Sequence, residues 1–124
     1  MSGVADGRAE TTREQREIRD VVHEFAAREV RPIARAVDEA DTEMPWEIWH
    51  KAADLGLTTM MLPEAYGGAG MTDLATQCVV QEEICWGDPG IGNLLTSNGF
   101  FAEPLLELGS EEQKRRWIGA LCEP

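Results

Sequence analysis

The stretch "PEAYGGAG", Pro63–Gly70, places one proline, one tyrosine and three glycines in eight positions, between two segments with helical patterning. A glycine-rich turn can cradle phosphate with its backbone N–H groups, which would mark a nucleotide enzyme. It can equally be a loop whose glycines supply left-handed backbone angles. The Walker pattern requires Lys followed by Ser or Thr, and neither follows Gly70. The dinucleotide fingerprint requires G-x-G-x-x-G between a strand and a helix; Gly67, Gly68 and Gly70 do not fit, and "GIG" at 90–92 lacks its third glycine. The stretch therefore reads as a connecting loop, and the segments around it decide the fold.

Upstream, helical signals dominate. "TTREQ" offers two overlapping capping boxes, Thr11 with Glu14 and Thr12 with Gln15. Ile18, Val21, Val22 and Phe25 then recur at helical spacing. Pro32 removes a backbone donor, so a kink or break is expected near Arg31, with the pattern resuming at Ile33, Ala34 and Val37. "DTEMP" reads as a linker, and Pro45 fits the first turn of a helix carrying Trp46, Trp49 and Ala53 on one face. That helix should stop at Gly56. "LTTMML", 57–62, fits either an extended segment or a last helical turn.

Downstream, Thr72 is expected to cap a helix whose inward face includes Leu74, Cys78 and Cys85, with Ile84 and Trp86 near its end. "GDP" at 87–89 breaks that helix and Pro89 opens the next. "IGNLLTSNGFF" reads as one weak helix with Leu95 and Phe100 facing inward. Pro104 starts or kinks a further segment closed by Gly109, and Ser110 with Gln113 forms another capping box. The sequence thus predicts an all-α fold, a small antiparallel helical bundle over 11–124, preceded by a disordered tail at 1–10.

Composition narrows the function. With 23 acidic and 11 basic residues the net charge is −12, which argues against nucleic acid and against anionic membrane surfaces. The sequence shows no apolar run long enough to span a bilayer and no cleavable signal, so the expected address is cytoplasmic. Cys78, Cys85 and Cys122 lack metal or redox spacing and read as reduced thiols, with Cys78 and Cys85 packed in the core. His23 and His50 lie on different helices with no partner at ligand spacing, so no metal site is expected. Glu82 and Glu83 point about 100° apart on a helix and read as a solvated face rather than an acid–base pair. Trp46 and Trp49 are expected to bury against the first helix. No set of residues makes a catalytic constellation.

Five stretches, taken in order, are more specific than any one alone. "TREQREIRDVVHEFAAREVRPIA", "MPWEIWHKAADLGL", "PEAYGGAGMTDL", "QEEICWGDPGIG" and "LGSEEQKRRWIGALCEP" together cover almost everything from Thr12 to Pro124. In order and spacing they resemble the N-terminal α-helical domain of the acyl-CoA dehydrogenases. The resemblance implies an FAD-dependent α,β-dehydrogenation of an acyl-CoA thioester, with electrons passed to an electron-transfer flavoprotein and a homo- or hetero-oligomeric assembly. It also implies that the main flavin contacts and the catalytic glutamate lie in later domains. No catalytic or cofactor-binding residue is thus expected in this chain, and the chain alone is expected to be inactive. What it would contribute is part of the acyl-tail pocket, from Gly92, Leu95, Thr96, Gly99 and Phe100, with Gly92 opening space and Phe100 closing it. These positions suit plain core packing equally well. The competing class is a non-catalytic helical module that pairs with a full-length dehydrogenase subunit; oxidase or monooxygenase chemistry on the same fold is a third reading.

Overall fold

The computed structural model describes residues 11–41 and 45–123; the expected tail at 1–10 and most of the linker lie outside them. Every regular element among the described residues is helical. Helix α1 spans Arg13–Phe25 and runs into a π-helical turn, Ala26–Val30, before α2, Ala34–Ala40. After the linker come α3, Trp46–Asp54, and two single 3₁₀ turns, Leu57–Thr59 and Glu64–Tyr66. The chain finishes with α4, Leu74–Gly87; α5, Pro89–Leu95; α6, Asn98–Leu108; and α7, Glu111–Cys122.

Local chemistry accounts for most of these boundaries. Of the two candidate boxes at the start, Thr12 with Gln15 forms, each side chain meeting the other's backbone. Ser110 with Gln113 does the same for α7. The chain turns at Arg31–Ile33, as a proline lacking its N–H requires. Gly56 ends the α3 region in the left-handed conformation. At α4 the cap is Asp73 rather than Thr72, because its carboxylate reaches the Thr76 N–H at 3.0 Å.

The Asp73 cap is tied to α1. The Gln15 amide donates to Asp73 Oδ2 and to Thr76 Oγ1, each at 3.1 Å, so one side chain links two helix N-termini. The Thr76 hydroxyl, then the Thr76 N–H and Gln15, hold the Asp73 carboxyl below its ordinary value of 3.8. Because the folded form is the more acidic, its contribution is complete above the ordinary value and fades as pH falls through the lower folded one. Asp73→Asn is therefore expected to lower stability at neutral pH while leaving a shallower decline below about pH 4, read from urea midpoints across pH.

Helices α1 and α4 run in the same direction. Gln15 meets Asp73 near their starts, His23 Nδ1 lies 2.7 Å from Glu83 Oε2, and Arg31 donates to the Trp86 carbonyl at 3.3 Å. The antiparallel expectation does not apply to this pair, which the intervening α2, α3 and loop connect as a long crossover. It does hold for α4 and α5, where Gln81 faces Thr96 and Cys85 faces Gly92.

Two clusters form the core. The larger joins α1, the π turn, α3, α4 and α5 through Val22, Phe25, Val30, Ile48, Val80 and Ile84, with Leu95 fully buried beside them. The smaller joins Leu62, Ala102 and Ile118, flanked by Tyr66 and Leu105. Residues 57–62, ambiguous in sequence, are a 3₁₀ turn and bends that place Met60 in the first cluster and Leu62 in the second.

Several expected faces are corrected. On α3 the buried residues are Ile48 and Ala52, whereas Trp46 is 57% exposed, Ala53 is exposed and Trp49 is half-buried. On α4 they are Thr76, Val80 and Ile84; Leu74 is 71% exposed and Cys78 is exposed, with Cys85 half-buried. Val21 belongs to the outer face of α1. Glu83 is not simply solvated, since it pairs with His23, whose ring stacks on Trp86 at 4.3 Å. "IGNLLTSNGFF" is two helices, broken at Thr96–Ser97, and Pro104 lies inside α6.

Candidate functional site

The glycines of the loop spend their backbone donors inside it. From Tyr66 to Met71 every backbone N–H donates to a backbone carbonyl: Pro63, Glu64, Pro63, Thr59, Leu62 and Met60 in turn. Gly67 and Gly70 adopt positive φ angles, 97° and 68°, which lets the chain fold back on itself in this way. With these donors spent internally, the glycine-rich half of the loop serves as a structural connection. The Tyr66 hydroxyl donates to Glu111 at 3.2 Å and fixes it to the start of α7.

A cavity of about 320 Å³ opens between α4, α5, α6 and the segment after the first 3₁₀ turn. Helix α4 contributes Gln77, Cys78 and Gln81; the bend contributes Met60 and Met61; α5 and α6 contribute Asn93, Thr96 and Phe100. Its polar groups are largely paired with the protein. The Thr96 hydroxyl donates to Gln81 Oε1 at 2.9 Å, Gln81 Nε2 donates to Cys85 Sγ at 3.1 Å, and Gln77 donates to the Met71 carbonyl at 2.6 Å. What remains toward the cavity is mainly thioether, methylene and aromatic surface, suited to a hydrocarbon chain.

Of the five residues singled out from sequence, Thr96 and Phe100 line this cavity. Phe100, expected to face inward, is 72% exposed and stands at the rim. Gly92, Leu95 and Gly99 do not line it. Leu95 is fully buried in the larger core. Gly92 opens no space, because a Cβ there would lie 3.1 Å from the Cys85 backbone and sulfur. Gly99 is buried beneath Met61, whose thioether occupies the place of its missing side chain. The break at Thr96–Ser97 is why the five do not share a face. Sequence reasoning missed Met60, Met61, Gln77 and Gln81; only the i, i+1, i+4 placement of Gln77, Cys78 and Gln81 on α4 gave any sign of a shared wall.

Other cavities open among the described residues. One of about 300 Å³ is almost wholly apolar, between Ile18 and Val21 of α1 and Leu55, Leu57 and Met71. Another, about 430 Å³, lies between α3 and the glycine loop, and one of about 390 Å³ lies at the α1 and α4 N-termini. None of the four is lined by Lys or Arg. Among the described residues no group of His, Cys, Asp and Glu could hold a metal ion, and no helix is long and apolar enough to cross a membrane.

Residues 12–123 match the family model of the acyl-CoA dehydrogenase N-terminal domain. A probable medium-chain specific mitochondrial acyl-CoA dehydrogenase of Caenorhabditis briggsae is 37% identical over 108 residues, covering 87% of this chain and 26% of that protein. A probable acyl-CoA dehydrogenase of Bacillus subtilis, YngJ, is 35% identical over 115 residues, covering 91% and 30%. A chain solved in work on the electron transferring flavoprotein of Acidaminococcus fermentans superposes with a TM-score of 0.79 at 30% identity, covering 92% of this chain and 30% of that one. The butyryl-CoA dehydrogenase of Megasphaera elsdenii superposes at 0.77 with 24% identity, covering 93% and 30%, a likeness of fold. The chain thus spans less than a third of the length of each of these proteins. With the helical architecture and the family model agreeing over nearly its whole length, this chain belongs to the acyl-CoA dehydrogenase family, in its N-terminal domain.

Proposed function

We propose that this chain is the N-terminal portion of an FAD-dependent dehydrogenase acting on an acyl-CoA thioester, and that its cavity between α4, α5 and α6 forms one wall of the acyl-tail site. The observation that carries this reading is the family match over residues 12–123, joined to an apolar cavity bordered by Thr96 and Phe100. FAD supplies hydride acceptance in such a reaction. Among the described residues, neither Lys nor Arg lines the four cavities above to meet a flavin pyrophosphate, and the N–H groups from Tyr66 to Met71 are taken by backbone carbonyls. On this reading, the flavin site, the catalytic base and the contact with an electron-transfer flavoprotein belong to other parts of the complete protein. What this chain does is hold α4 and α5 rigidly together, present an apolar wall and exclude water from the tail.

The test replaces the matching segment of the Bacillus subtilis relative with residues 12–123 of this chain. The chimera is expected to purify with bound flavin and to dehydrogenate at least one straight-chain acyl-CoA between butyryl and palmitoyl. A folded, flavin-loaded chimera that oxidises none of them would overturn the reading, provided the unaltered relative is active under the same conditions.

A further inference from the structure

Helices α4 and α5–α6 face each other in a series of antiparallel rungs. The outermost place, at the cavity rim, is lined by Cys78 and by Phe100 of α6. Gln81 and Thr96 form the next, joined by the 2.9 Å hydrogen bond. Cys85 and Gly92 form the third and are in closed contact, since a Cβ on Gly92 would lie 3.1 Å from Cys85 Sγ. Gln81 is fixed at both ends of its carboxamide, to Thr96 on the facing helix and to Cys85 one turn along its own. It therefore stands as a partition between the open part of the cavity and the packed third rung.

We infer that Gln81 sets the depth of this cavity and thereby the length of acyl tail that it admits. The inference rests on the reading of the cavity as an acyl-tail site. It also gives the tail's chemistry: a neutral hydrocarbon end, because the carboxamide and hydroxyl at the partition are spent on each other and on Cys85. A carboxylate there would be desolvated with no cation among the lining residues. Removing the carboxamide would extend the cavity by up to the helical turn separating the rungs, about 5.4 Å, room for roughly three more carbons.

The depth is testable on the 124-residue chain itself with linear 1-alkanols as probes, followed by amide NMR shifts at Thr96 and Phe100. Affinity is expected to rise about fourfold per added methylene, then stop rising at a limiting length. Gln81→Ala should move that limit outward by roughly three carbons. Gln81→Met, which refills the volume without the hydrogen bonds, should leave it in place. Gln81→Ser, which also removes the carboxamide, should lengthen the limit in the same way and guards against a misfolded Gln81→Ala variant. An unchanged limit in folded Gln81→Ala and Gln81→Ser chains would overturn the inference, as would shifts confined to Val21 and Leu55. The chimera assay is independent. A displaced limit with an inactive chimera rejects the dehydrogenase reading alone, whereas a fixed limit with an active chimera rejects the depth assignment alone.

Discussion

Gly68→Ala is expected to destabilise the chain by about 3 kcal/mol or more, enough to unfold much of a small domain. The space that a Cβ would need at Gly68 is already filled by the Leu62 carbonyl group and side chain. Backbone cannot rotate away as a flexible side chain can. The same Leu62 carbonyl accepts the Gly70 N–H at 2.9 Å, and the Leu62 side chain, 1% exposed, is the centre of the smaller core. One methyl group would thus disturb the loop's hydrogen bonds and the packing against Ala102 and Ile118 together. Gly119, inside α7, is the control: nothing lies within 4 Å of a Cβ placed there. Gly119→Ala should be neutral or stabilising by about 0.5–1 kcal/mol, through helix propensity and a less flexible unfolded chain. Urea midpoints at constant slope measure both. Equal midpoints for the two variants would mean that the loop does not pack as described.

Ile84→Ala should cost about 3 kcal/mol, while Leu74→Ala on the same helix should stay within about 0.5 kcal/mol. Ile84 has no exposed surface and lies where α1, the π turn and α4 meet, so truncation leaves a cavity that the surrounding helices cannot close. Leu74 begins α4 and is 71% exposed. Chemical denaturation of both variants decides the matter. A large loss at Leu74 in the isolated chain would contradict the assigned face of α4.

The pair also shows where sequence reading stops. Helix α4 carries apolar side chains around much of its circumference, Leu74, Cys78, Val79, Val80, Ile84 and Trp86, so periodicity does not select one inward face. Packing selects it, because α1 and α5 take different sides of the helix. By contrast, the boxes at Thr12 and Ser110, the break at Pro32 and the stop at Gly56 were legible, since each is enforced by a residue and its near neighbours. The break between α5 and α6 carries no Gly or Pro at the bend. There Ser97 donates to the Leu94 carbonyl and Thr96 reaches across to Gln81, a partner fifteen positions away. The same distance in sequence hid most of the cavity. Met60, Gln81 and Phe100 come from three separate segments, and no spacing rule joins them. In the glycine loop, composition announced a turn, but the use of the N–H groups from Tyr66 to Met71 by carbonyls became visible only in the folded backbone.

The most direct test of the central claim is the intact mass of the native protein that carries these residues, captured from its source cells, with the absorption spectrum of the same sample. The account predicts a mass well above 13.7 kDa, since the chain spans less than a third of its relatives, together with the visible bands of bound flavin. A species of 13.7 kDa without flavin would contradict it and would mark a free-standing helical module.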